Sequence, residues 1–173
     1  MKSNPTSPLR LIGAASVLLV VLATFWQTNI AGDVSARQPG GAEYQAVEQA
    51  INNVIGWAIN KDFDLFLGTI ADDTDFVSVT PYARVKIGFD EVLADTGFWA
   101  SPDFKAVSHN VQDLKITFSK SGNVAWYYCV LNDYNTWKGQ PANWENVRWT
   151  GVLEKREGKW RLVQQHFSWP KER

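Results

Sequence analysis

Cysteine, histidine and methionine are almost missing from this chain of 173 residues, which holds one Cys, two His and one Met. With Cys129 alone, an intrachain disulfide framework is excluded. One thiol and two imidazoles also supply a closed structural zinc site poorly, so neither a metal nor a cofactor is expected. An excess of one charge is lacking too: 17 Lys and Arg face 18 Asp and Glu, for a formal net charge of -1. That balance removes the basic footprint of a nucleic-acid-binding surface. Aromatic residues are abundant, with 9 Trp, 9 Phe and 5 Tyr, which is the opposite of a disordered composition. The length suits one domain with a short appendage.

The first forty residues read as that appendage. Lys2 and Arg10 precede an apolar run from Leu11 to Trp26, followed by a more polar stretch with small residues at Val34-Ser35-Ala36. This is the order of a signal peptide cleaved after Ala36, with Ala31 as a second cleavage position. The rival is an uncleaved anchor over residues 11–31, since the run itself is shorter than the roughly 20 residues a spanning helix needs. Both readings export the domain, to the periplasm or the outside, and the anchor is the only membrane attachment expected. Residues 1–36 are therefore set apart, 37–41 form a Pro/Gly linker, and 42–170 form the domain.

Within the domain the apolar period changes along the chain. Val47, Ala50, Ile51, Val54, Ile55 and Ala58 recur at three and four residues, which predicts an amphipathic helix ended by Asn60 and Lys61. Asp62 is placed to cap a second, short helix with Phe63, Phe66, Leu67 and Ile70 on one face. A strand is predicted over Phe76–Thr80 and another short helix over Asp90–Phe98. Later the period becomes two: Leu114, Ile116 and Phe118 alternate with polar residues, and Val124–Leu131 is rich in β-formers. Asn132–Asn143 reads as a polar excursion carrying Trp137. Val147–Lys155 and Lys159–Trp169 flank a hairpin turn at Arg156-Glu157-Gly158. Helices first and an antiparallel meander after them give an α+β order. The helices need a surface to bury their apolar faces, and a curved sheet wrapped around them leaves a hollow where function is sought.

These segments resemble the nuclear transport factor 2-like superfamily, most of all its SnoaL-like branch. The resemblance rests on Gly56-Trp57-Ala58-Ile59-Asn60-Lys61-Asp62-Phe63-Asp64, on Ile70-Ala71-Asp72-Asp73 and on Gly122-Asn123-Val124-Ala125-Trp126. It continues in Arg148-Trp149-Thr150-Gly151-Val152-Leu153-Glu154 and is most specific in the closing segment from Gly158 to Ser168. It covers about Ala42 to Pro170 and implies a cone-shaped α+β barrel, its helices packed in the concavity of a mostly antiparallel sheet, often dimeric through that sheet. Such a fold does not fix a function; members include isomerases, cyclases, dehydratases and oligomerising hubs. The carboxylates and tyrosine of steroid-isomerase-like members are not matched: Val54 stands near the tyrosine position, Thr80 precedes Pro81, and Thr150 and Gly151 stand near the second carboxylate. The chain is more similar to members with an arginine, a threonine and a histidine lining the hollow, among them the association domain of calmodulin-dependent kinase. That pattern maps onto Arg148, Thr150 and His166.

The period of two puts Trp160, Leu162, Gln164, His166 and Ser168 on one face of the last strand, and Asn146, Arg148, Thr150 and Val152 on one face of its neighbour. A two-residue Glu157-Gly158 turn sets Trp149 opposite His166; a three-residue loop with a bulge at Gly158 sets Arg148 there. The second is preferred because it joins polar residues with polar and agrees with the family pattern. His166 is the one strong base candidate, and Arg148 beside it suits an anion or oxyanion. Trp126, Tyr128 and Trp57 are candidate stacking surfaces for a flat ligand. The expected function is a small-molecule-binding or homo-oligomeric domain taking a small hydrophobic or weakly anionic ligand. The alternative is a small enzyme with His166 as general base and Arg148 stabilising negative charge. A structural His-Arg-Thr cluster holding two strands together is the plainer reading of the same residues. Asp62, Asp72 and Asp73 read as caps and turns, Asp75 adds no calcium loop to them, and His109 is expected at the surface.

Overall fold

The computed structural model describes residues 40–171, so the expected signal peptide or anchor lies outside the described residues. Among those described, no helix is long and apolar enough to cross a membrane. The predicted first helix is α1 (Gly41–Asn60), and its apolar stripe buries Val47, Ala50, Ile51, Val54 and Trp57. Lys61 ends it in the left-handed conformation at φ 54°. The Asp62 carboxylate then accepts the Leu65 N–H at 2.9 Å, capping α2 (Phe63–Thr69) as its position in the sequence predicts. The single helix expected over Asp90–Phe98 is two short ones, α3 (Phe89–Ala94) and α4 (Thr96–Ala100), meeting at Asp95.

Among the described residues seven strands form one curved, mixed sheet: β1 (Val77–Val79), β2 (Val85–Ile87), β3 (Phe104–Phe118), β4 (Val124–Trp137), β5 (Gln140–Pro141), β6 (Trp144–Arg156) and β7 (Lys159–Ser168). Their order is β2-β1-β7-β6-β4-β3, with β5 on β4. Among these seven strands only β1 and β7 pair in parallel. Two strands are longer than the sequence suggests. β3 begins at Phe104 instead of near Leu114, and β4 runs through most of the expected polar excursion to turn at Lys138-Gly139, where φ is 50° and 76°. Positive φ at both turn residues matches the twist of the flanking strands.

The concave face holds the core. Along β4 it takes Ala125, Tyr127, Cys129 and Leu131, and along β6 Val147, Trp149 and Leu153, all buried against α1 and α2. Cys129 is fully buried and free, and loss of water around it pushes its thiol up to about 12. The first turn of α1 is tied to the β6–β7 hairpin by Glu43, whose carboxylate pairs with Lys155 at 2.7 Å and accepts the Trp160 indole N–H at 3.0 Å.

The hairpin register differs from both expectations. The turn is the two-residue Glu157-Gly158, with Arg156 opposite Lys159, but a bulge on β7 near Val163 then shifts the ladder so that Thr150 faces His166. An extra residue in one strand reverses which side chains point inward beyond it. Trp160 and Leu162 face the core before the bulge, and Phe167 does so after it, with Gln165 on the same side.

Gly151 sits at a closely packed point of the sheet. It pairs with Tyr127, and a methyl group there would lie 2.7 Å from the Tyr127 ring and 2.7 Å from the Gln164 carbonyl oxygen. Because one of those neighbours is backbone, Gly151→Ala is expected to cost about 1–3 kcal/mol of stability, read as a lower midpoint in urea unfolding with an unchanged slope.

Candidate functional site

α1 and α2 cover only part of the concave face. Beyond them the sheet continues, and α3, α4 and the β1–β2 hairpin close over it to leave a cavity of about 690 Å³, within the range of small-molecule sites. Its apolar wall is largely aromatic. Trp57 stacks on Phe66 at 4.4 Å and meets Trp99 edge-on at 5.6 Å. Phe98 stacks on Trp137 at 4.7 Å, and Trp144 meets Phe167 at 5.3 Å. Tyr82 is 61% exposed and also lines the cavity, so it stands where the cavity meets solvent. Its loop is closed by the Thr80 hydroxyl donating to the Arg84 carbonyl at 3.1 Å.

The polar lining has a definite character. Asp133 and Asn135 continue the inward alternation of Ala125 to Leu131 along β4 and face the cavity with Trp137. Burial pushes the Asp133 carboxyl above the usual range; the Asn135 amide and the charge of His109 oppose that shift and are outweighed. The Asn135 side-chain oxygen is buried without a hydrogen-bond donor, and so is that of Gln165. The Gln165 amide N–H donates to Ser78 Oγ at 3.0 Å. The two lining cations are paired: Lys86 with Asp95, and Arg84 with Asp95 at 3.2 Å and Glu91 at 3.3 Å. Lys86 also lies over the Trp99 ring at 5.0 Å.

Of the residues singled out from the sequence, Trp57 lines the cavity, its indole N–H donating to the Val54 carbonyl at 3.1 Å. The other five take the opposite face. Trp126 and Tyr128 are 45% and 41% exposed, Arg148 and His166 are exposed and Thr150 half-buried. On β4 and β6 these residues alternate with the core residues; on β7 the bulge near Val163 turns His166 outward. The structure does bring them together, with Tyr128 beside Thr150 and Thr150 beside His166 on adjoining strands, but outside the hollow they were expected to line. His109, expected at the surface, is partly buried: its ring fills the space at Gly56 on α1, its Nε2 lies 3.3 Å from Asn52 Oδ1, and it pairs across the ladder with Asp133. Among the described residues no cluster of His, Cys, Asp or Glu is arranged to hold a metal ion.

Asp133 and Asn135 escaped the sequence reading because the strand was ended at Leu131. The local signal is Lys138-Gly139, a two-residue turn pair; the apolar period of two lapses after Leu131, where the inward positions become Asp133 and Asn135. A carboxyl raised by burial holds a proton more readily in the folded chain than in the unfolded one, so its cost to stability appears as pH rises past the unfolded value of about 4. Asp133→Asn is therefore expected to raise the melting temperature at pH 7, with the gain shrinking as pH is lowered toward about 4 and vanishing below it, measured by calorimetry across pH.

No curated protein matches the sequence. Solved structures with similar folds include a candidate dehydratase of the NTF2-like family from Streptomyces avermitilis, with TM-score 0.62 and 18% identity over 77% of this chain and 100% of that one. A candidate Ca/calmodulin-dependent kinase II association domain from Exiguobacterium sibiricum 255-15 has TM-score 0.62 and 7% identity, over 78% and 98%. A nuclear transport factor 2-like superfamily protein from Salmonella enterica serovar Typhimurium has TM-score 0.61 and 17% identity, over 76% and 93%. At such identities the likeness is one of fold. The SnoaL-like domain model matches residues 47–172, from the first buried turn of α1 to beyond the last strand, and the chain belongs to the SnoaL-like domain family.

Proposed function

We propose that this domain is an exported binding module that encloses a small, largely apolar molecule between its helices and the concave face of its sheet. The observation that carries this reading is the cavity itself: about 690 Å³ walled by Trp57, Phe66, Phe98, Trp99, Trp137 and Trp144. Aromatic walls with a few fixed polar groups are the usual make-up of a small-molecule site. The buried, donorless oxygens of Asn135 and Gln165 on that lining favour a ligand over a simply packed core, because such atoms are costly when left unpaired. Export is supported by Lys2, Arg10 and the apolar run Leu11–Trp26. The catalytic alternative draws no support from the geometry, since His166 and Arg148 face away from the cavity.

The outer face of the sheet supports a second element of the proposal, a homodimer. Trp126 and Tyr128 are exposed there, side by side with Arg148 and His166. Large aromatic side chains with an arginine among them are the composition of a buried interface centre.

Two measurements test these readings. Nile red, which brightens on leaving water, is expected to bind the purified chain; Trp99→Ala should weaken it about tenfold or more, and His166→Ala should leave it unchanged. Binding lost with His166→Ala and kept with Trp99→Ala would overturn the cavity assignment. In sedimentation velocity the native chain should run as a dimer, and the double variant Trp126→Glu, Tyr128→Glu as a monomer that still binds the dye.

A further inference from the structure

The buried polar atoms left unpaired on the cavity lining are of one kind. Asn135 Oδ1 and Gln165 Oε1 are acceptors without donors, and the Asp133 carboxyl is an acceptor that makes no ion pair among the described residues. The cations on the lining are spent: Lys86 and Arg84 are paired with Asp95 and Glu91. The expectation of a weakly anionic ligand rested on Arg148, which faces outward. An anion entering the cavity would meet a carboxyl and unpaired carbonyl oxygens, a costly arrangement.

The neighbours of Asp133 add a second argument. Trp144 stands directly opposite it on β6, while Trp137, four residues on along the same face of β4, lines the cavity about 13 Å further along the strand. A buried carboxyl set across from an indole suits a positive charge that carries N–H donors, since the ring attracts a cation with its face while the oxygens accept its hydrogens. The structure already contains a cation held in this manner, Lys86 over Trp99 with Asp95 as its counter-charge. His109 is an ionisable group facing Asp133 across the ladder on β3, and Asp95, Lys86, Arg84 and Tyr82 share the cavity lining with Asp133. The imidazole is engaged by Asn52 on α1, and its effect does not offset the burial of the carboxyl.

We infer that the cavity takes a protonated organic amine, its ammonium group held by Asp133 and Asn135 Oδ1 and its apolar body set among Trp57, Trp99, Trp137 and Trp144. The inference rests on the cavity being the binding site, and it names the chemistry of the ligand's polar end. On this basis Asp133 and Asn135 select the ligand, and the aromatic wall supplies most of the contact area.

Three probes with one body and different heads test it: naphthylethylamine, naphthylethanol and naphthylacetate, titrated into the purified chain by calorimetry at neutral pH. The amine should bind about tenfold or more tightly than the alcohol, as expected for a hydrogen-bonded charge pair, and the acetate more weakly than either. Asp133→Asn, with its fold checked by circular dichroism, should bring amine and alcohol to equal affinity. In the native chain, which needs no variant to fold, equal binding of amine and alcohol would overturn the inference and leave the binding cavity standing. Tightest binding of the acetate would do the same. Failure of all three probes, with Nile red also unbound, would overturn the cavity reading itself.

Discussion

The packing of α1 into the concave face of the sheet is the contact on which the rest of the structure depends, and the mismatch in length between them creates the cavity. Twenty residues of helix span about 30 Å, and the stripe that is buried ends at Trp57. The fourteen residues of β4 extend over about 46 Å. Where α1 and α2 lie, the inward positions of β4 are apolar and closed, from Ala125 to Leu131. Past that point the same inward positions become Asp133, Asn135 and Trp137, and no long helix covers them. The site is the uncovered end of the core, and its composition changes at the residue where the cover stops.

Which residues reach that site is decided by irregularities as much as by alternation. The register shifts on β3, between β4 and β6, and on β7 bend the strands so that the sheet can curve around the helices. Each also resets the side of the sheet on which the following residues fall. On β7 this places Phe167 and Gln165 in the cavity and His166 outside it. On β3 it brings His109 inward onto Gly56, where the missing side chain of the glycine makes room for the imidazole.

Much of this fold could be read from the sequence because its signals are local. The three-and-four spacing of Val47 to Ala58, the capping position of Asp62 and the Glu157-Gly158 turn all act over a few residues, and each element forms where its pattern lies. The family resemblance carried the overall architecture. The site was less legible for a physical reason: a face assignment extends along a strand only until the next bulge, and a bulge has no strong side-chain signature. Val163 gives none. Asp113 and Asn146, at φ 53° and 55°, are residue types that tolerate the left-handed conformation, and they offered the only local hints of irregularity on their strands. The segment Asn132–Asn143 was misread because its polarity suggested a loop. A strand facing a cavity can be polar on its inward side, which reverses the usual inference from hydropathy.

Cys129 has a bearing on how this protein can be studied and altered. Its thiol is fully buried between core residues and holds its proton well beyond neutral pH, so it is inert to thiol reagents in the folded state. The natural chain thus behaves chemically as though it had no cysteine. A second cysteine placed anywhere on its surface would be the sole reactive sulfur, and a dye, spin label or tether could be fixed at the cavity rim or on the outer sheet face without first removing a native residue.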